Sequence, residues 1–147
     1  MGRVRISLVK RVARELLNKY SSFYTVKAEV PEKEVEEFIG KVAEAFGTDP
    51  SLLLRNEDST IHCRLVKKGN KCEVHLRWAK EAGMKEEVEG LLGVKVDQDE
   101  FSTNFQRNKE ILKDLVLLPS KKLRNQVAGY LVRLKRIERA QVEGESA

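Results

Sequence analysis

The chain has 147 residues, 41% hydrophobic and 35% charged, with 28 Lys/Arg against 23 Asp/Glu, a net charge of +5 and an isoelectric point near 9.2. That length holds one ordinary domain or two very small ones, and the charge favours an anionic partner, either nucleic acid or an anionic membrane surface. No apolar run nears the roughly 18 residues that cross a bilayer, Met1 to Lys10 lacks the apolar stretch of a signal peptide, and two cysteines do not make a secreted disulfide framework, so the chain reads as soluble and intracellular.

Charge is unevenly spread. Residues 1–25 carry six Lys/Arg and one Glu, residues 26–100 carry twelve Lys/Arg and seventeen Asp/Glu, and residues 101–147 carry ten and five. Basic ends flanking an acidic middle suggest two modules with different partners, the middle inserted into the basic one; chance variation along a highly charged chain gives the same pattern. In the first segment Arg3 and Arg5 lie on a short arm and Ser7 caps a helix. Its apolar stripe is Val9, Val12, Ala13, Leu16, Leu17 and Tyr20, which leaves Lys10, Arg11, Arg14 and Asn18 facing outward.

The acidic middle begins with the alternating strand Tyr24–Val30. Pro31 opens a helix with Val35, Phe38, Ile39, Val42 and Phe46 inward and Gly47 as its C-cap; Asp49-Pro50 starts a further short turn. Ile61–Trp78 reads as a hairpin about Gly69-Asn70, in which paired residue numbers sum to 139. Ile61, Cys63, Leu65, Cys72, Val74, Leu76 and Trp78 then share one face, with His62, Arg64, Lys68, Lys71, Glu73, His75 and Arg77 on the other. A helix over Glu81–Leu92 and a strand Gly93–Val96 complete a β-α-β-β-α-β order, which is ferredoxin-like.

Two His and two Cys on one hairpin raise the question of zinc. The register points both thiols inward and both imidazoles outward, and offsets the cysteines by four positions, roughly 13 Å, too far for a disulfide. No metal is expected, and Cys63 and Cys72 are read as buried free thiols. The outward hairpin face is basic but lacks the exposed aromatics of an RNA-recognition sheet, so a solvated surface is favoured over phosphate contact.

The second basic segment opens on the capping-box pattern Thr103-Asn104-Phe105-Gln106, with Phe105, Asn108, Ile111, Leu112 and Leu115 at helical spacing. Pro119 stops that helix and Ser120 caps a third, whose apolar side is Leu123, Val127, Tyr130, Leu131, Leu134 and Ile137. Gly129 in its middle costs about 1 kcal/mol relative to Ala, tolerable if another backbone packs closely there. Three such helices bury one another's stripes and leave a cationic surface, whose Ser120 terminus suits a phosphate.

Three segments now resemble a known family in order. Met1-Gly-Arg-Val-Arg with Val9-Lys-Arg-Val-Ala-Arg-Glu-Leu-Leu-Asn-Lys-Tyr20 is similar to the opening of the ribosomal S-seventeen-e family, and Asn104-Phe-Gln-Arg-Asn-Lys109 to its second helix. Pro119-Ser-Lys-Lys-Leu-Arg-Asn-Gln-Val-Ala-Gly-Tyr130, continuing through Leu134-Lys-Arg-Ile137, resembles its signature. Gln126 stands where the family usually has Lys, which removes one phosphate contact, and Val127 where it has Ile. The short stretch after Ile137 looks more archaeal than eukaryotic. The large departure lies between Tyr20 and the second helix, where a long segment replaces a few residues. Phe23-Tyr-Thr25 and Phe101-Ser-Thr103 look like the two lips of one loop, where insertion is cheap because closure entropy grows slowly with length.

The resemblance implies a structural protein of the small ribosomal subunit that binds ribosomal RNA, with neighbouring ribosomal proteins as partners, no catalysis and no cofactor. The expected fold is α+β: a small three-helix bundle, helix-turn-helix-like, of residues 1–23 and 101–147, interrupted by an inserted ferredoxin-like domain at 24–100. The candidate RNA-binding residues are Arg3, Arg5, Lys10, Arg11, Arg14, Ser120, Lys121, Lys122, Arg124, Asn125, Arg133, Lys135 and Arg136. The acidic insert is assigned a protein-contact or steric role, with a protein as its candidate partner, and the chain a cytoplasmic, ribosome-bound place with no membrane contact. The alternative is a freestanding helical regulator that binds DNA or RNA. No glycine-rich phosphate loop, metal spacing or nucleophile elbow points to an enzyme.

Overall fold

The residues Gly2 to Lys19 contain no proline and, after Gly2, no glycine, so nothing interrupts a helix once it starts. In the computed structural model, which describes residues 2–58, 60–115 and 120–146, helix α1 spans Gly2–Lys19. Ser7 is therefore inside the helix rather than its cap, and Arg3 and Arg5 belong to its first turns instead of a preceding arm. The elements that follow are β1 (Phe23–Pro31), α2 (Val35–Phe46), α3 (Pro50–Leu54), β2 (Ile61–Lys68), β3 (Lys71–Ala79), α4 (Lys85–Leu92), β4 (Asp97–Asp99), α5 (Phe105–Leu115) and α6 (Lys121–Ser146). They fall into two compact units, Met1–Ser21 with Glu100–Ala147, and Ser22–Asp99.

The Ser22–Asp99 unit is a mixed helix-and-sheet structure. Its sheet has the order β2-β3-β1-β4 with antiparallel neighbours throughout. The hairpin register follows the alternation of side chains: Ile61 pairs with Trp78, Cys63 with Leu76 and Lys67 with Cys72. Ile61, Cys63, Cys72, Val74, Leu76 and Trp78 are buried with Ile39 and Val42 of α2, Leu53 of α3 and Val88 of α4; Leu65, near the hairpin tip, is exposed. Trp78 anchors this core. Its Nε1–H donates to the Gly83 carbonyl at 2.7 Å, and the Phe46 ring meets it edge-on with centroids 5.3 Å apart. Gly47 ends α2 at φ +65°, a conformation costly for a side chain, and Asp49 caps α3 by accepting from the Ser51 N–H at 2.9 Å.

Three details depart from the sequence pattern. A single 3₁₀ turn, Glu32–Glu34, separates Pro31 from α2, so Pro31 closes β1 instead of opening the helix. Another, Lys80–Ala82, is followed by Gly83 and Met84 at positive φ, which delays α4 until Lys85. The last strand is Asp97–Asp99 rather than Gly93–Val96. Gly93 is the left-handed cap of α4, and Val96, although buried, spends its N–H on the Glu89 carboxylate at 3.2 Å.

In the helical unit α6 packs against both α1 and α5. A helix with neighbours on two sides needs two adjacent apolar stripes, and the buried residues of α6 are Val127, Ala128, Leu131 and Val132. Leu123, Tyr130 and Leu134 are only half-buried, and Ile137 is exposed, because they lie at the edges of those stripes. Val9, Ala13 and Leu16 of α1, Tyr20 just after it, and Ile111, Leu112 and Leu115 of α5 supply the rest. The N-cap of α5 is Asn104, whose Oδ1 accepts from the Arg107 N–H at 3.1 Å, so the cap falls one residue after Thr103. Phe105 lies at the surface beneath the Lys109 ammonium, 5.3 Å from its ring centroid. Pro119, read as the stop before α6, lies outside the described residues.

Candidate nucleic-acid interface

Asn108 sets the geometry of the helical unit's surface. It is fully buried; its Oδ1 accepts from the Ser102 N–H at 2.9 Å, and its Nδ2 donates to the carbonyls of Ser102 at 2.9 Å and Ala128 at 3.4 Å. One amide thus ties the approach to α5 to the middle of α6, and holds one face of α5 beside the start of α6. Ser120 caps that start: its hydroxyl accepts from the Leu123 N–H at 3.2 Å, while its carbonyl takes the Arg124 N–H at 2.9 Å.

A cleft of about 410 Å³ lies between the two helices. Gln106, Lys109, Glu110 and Lys113 of α5 form one wall, and Lys121, Arg124 and Asn125 of α6 the other. The lining holds four cations and one carboxylate, Glu110, beside the positive end of a 26-residue helix. The excess of cations and the free N–H groups of the helix start give the cleft a positive potential, complementary to an anion with several oxygens. Lys121, Arg124 and Asn125 are among the residues expected from the sequence; Gln106, Lys109 and Lys113 are not. Their spacing of three and four residues shows that they share a face of α5; that this face meets the start of α6 is a tertiary fact.

A second groove, about 400 Å³, runs along the other side of α6. It is lined by Ile6, Val9 and Lys10 of α1 and by Gln126, Gly129, Tyr130 and Arg133 of α6. Of the remaining candidates, Arg11, Arg14, Lys122 and Arg136 are exposed outside both depressions. Lys135 is half-buried and paired with Glu138 at 3.4 Å, so it is not the free outward cation expected. The side chains of Arg3 and Arg5 lie outside the described ones. Gly129 is exposed. A Cβ placed on it meets only Phe105 Cε2, at 3.9 Å, so no backbone packs against it, contrary to expectation.

The sheet offers less to an anion. Glu73 gathers Lys68 at 2.8 Å, His75 at 2.6 Å and Lys27 at 3.4 Å, and the hydrogen bond from Lys68, followed by those from His75 and Lys27, holds its carboxyl down at about 2. Arg77 and His62, expected in solvent, are buried. The Arg77 guanidinium pairs with Asp99 at 3.1 Å and lies 5.6 Å from the Phe23 ring centroid, and His62 is its cross-strand neighbour. Cys63 and Cys72 are buried, and burial, then its neighbour Cys72, push the Cys63 thiol up to about 12. Among the described residues no three His, Cys, Asp or Glu side chains are placed to hold a metal ion, and no helix is long and apolar enough to cross a membrane.

The family profile described as Ribosomal S17 matches residues 96–147. Small ribosomal subunit protein eS17 of Pyrobaculum aerophilum is 47% identical over 49 residues, which make up 33% of this chain and 69% of that relative. The chain belongs to the ribosomal S17 family. The eS17 proteins of Sulfurisphaera tokodaii, 46% identical over 48 residues, and Ignicoccus hospitalis, 48% identical over 40, align over 62% and 54% of their own lengths. No solved structure matches. The ribosomal S17 match takes in all of α5 and α6, and with them every residue of the basic cleft; α1 lies outside it.

Proposed function

We propose that this chain is a structural component of the small ribosomal subunit, acting in translation, and that its helical unit holds ribosomal RNA. The observation that carries this reading is the basic cleft between α5 and α6, which lies within the ribosomal S17 match. Phosphate oxygens fit between Lys109 and Lys113 on one wall and Lys121 and Arg124 on the other, beside the Ser120-capped terminus. Lys10 and Arg133 in the second groove, and the exposed Arg11, Arg14, Lys122 and Arg136, add further cations for phosphate. Such contacts position a protein on folded RNA and read its shape more than its sequence. The role is structural rather than catalytic, and neighbouring ribosomal proteins are the natural further partners. The family match favours this over a freestanding regulator, although three helices with a basic third would suit either.

Residues 22–99 are, in this reading, a ferredoxin-like domain inserted where the two lips of a loop approach. Its acidic balance and internally paired sheet face suit a protein neighbour better than RNA. The test is a salt series with a small-subunit rRNA transcript. Lys109→Ala with Lys113→Ala, and separately Lys121→Ala with Arg124→Ala, should each flatten the log–log salt slope by roughly 1.4–1.8, at 0.7–0.9 per lost contact. Lys33→Ala with Lys41→Ala should leave it unchanged. A control pair that costs as much as either cleft pair refutes the division of labour.

A further inference from the structure

A helix-interior glycine at an exposed position is a cost without a structural return, and Gly129 is such a residue. It destabilises α6 by about 1 kcal/mol relative to Ala, yet the space where its side chain would stand is open apart from one ordinary contact with Phe105. Gly129 lies in the second groove, between α1 and α6. Gln126, Gly129, Tyr130 and Arg133 recur at intervals of three, four and seven residues, so they share one face of α6. Across from them stand Ile6 and Val9, which are apolar, and Lys10.

This set of groups is specific in its chemistry. Among the described residues no carboxylate lines the groove and two cations do, a lining that favours an anionic occupant. The Tyr130 ring and the apolar wall suit a flat, partly apolar group. The Gln126 amide both donates and accepts, as the edge of a nucleobase requires. A bare backbone at Gly129 lets a ring approach the helix closely. Paired bases in an RNA duplex are stacked and their edges hidden in grooves, whereas an unpaired base can be splayed into a pocket.

We propose that the groove receives one unpaired RNA base, set against Tyr130 and the exposed backbone of Gly129, with its edge bonded to Gln126 and the flanking phosphates held by Lys10 and Arg133. The proposal rests on the RNA-binding reading and adds to it a site for a base, distinct from the phosphate cleft on the other side of α6.

The test uses the full chain with two probes: a single-stranded RNA of ten uridines, one replaced by 5-iodouridine, and a blunt RNA duplex of similar length. Irradiation of the single strand should crosslink Tyr130. Tyr130→Leu and Gly129→Leu should each weaken single-strand binding about tenfold, within the range for one stacked base, and leave the duplex within twofold. Gly129→Leu raises helix propensity, and circular dichroism with urea unfolding separates a binding loss from a folding loss in both variants. Salt-dependent binding with crosslinks elsewhere and neutral variants overturns the base site alone. Equal losses on the duplex overturn it too, by making the groove a backbone contact. An absence of salt-dependent binding to either probe overturns the RNA reading and the base site together.

Discussion

Asn108→Ala would remove the amide that connects the approach to α5 with the middle of α6. Three hydrogen bonds go, two at 2.9 Å to Ser102 and a longer one at 3.4 Å to Ala128. Each well-formed bond contributes about 1 kcal/mol net, and each partner left buried without a replacement costs about 1–3 kcal/mol more. The Ser102 groups are only partly buried, so water can recover part of that loss. The Ala128 carbonyl, inside α6, has a second acceptor role in the helix. The expected destabilisation is therefore about 2–4 kcal/mol. Urea unfolding followed at 222 nm should show the helical transition moving down by roughly 1–2 M, for a slope of about 2 kcal/mol per molar. Asn108→Asp keeps the acceptor but loses the donors and buries a charge, so it should cost at least as much. If Asn108→Ala costs under about 0.5 kcal/mol, the amide does not hold the helices together and the cleft geometry built on it is wrong.

Gly129→Ala should stabilise the helical unit by about 1 kcal/mol in the same urea assay, because the Cβ has open space and the helix gains propensity; a loss would mean that a neighbour crowds the site. Glu73 is held at about 2 from an ordinary 4.5, first by Lys68 and then by His75 and Lys27, so its stabilising share is complete above pH 4.5 and is lost as the pH falls through about 2. Glu73→Gln should therefore lower the melting temperature at pH 7, and its gap to the parent chain should close between pH 4.5 and 2; a gap that stays constant contradicts the network.

The sheet's centre was legible because its residues speak through alternation. Ile61, Cys63, Val74, Leu76 and Trp78 fall on one face whatever surrounds them, and Gly69-Asn70 fixes the register. The last strand was not, since Asp97-Gln98-Asp99 has neither apolar alternation nor β-branched residues and pairs only because β1 offers an edge. Arg77 and His62 were misread for a related reason: alternation marks them as outward, but Asp99 and Phe23, distant in sequence, flank Arg77 on that outward side. On α6 the helix itself was evident, yet its buried side was not, because a helix packed on two sides buries Ala128 and Val132, outside the stripe that periodicity picks out. The candidate site shows the same division. Lys121 and Arg124 announce themselves beside a serine cap, whereas Lys109 and Lys113 acquire meaning only when α5 is set against the start of α6.

Association with the small ribosomal subunit is the property on which every other proposal here depends. The direct measurement is sedimentation of the full chain with purified archaeal small subunits through a sucrose gradient, at low and at moderate salt, beside the Lys121→Ala, Arg124→Ala pair. The chain should travel with the subunit peak at both salt concentrations, and the paired variant should be shed first as salt rises. A chain that remains at the top of the gradient at low salt, while the subunits sediment normally, would contradict it.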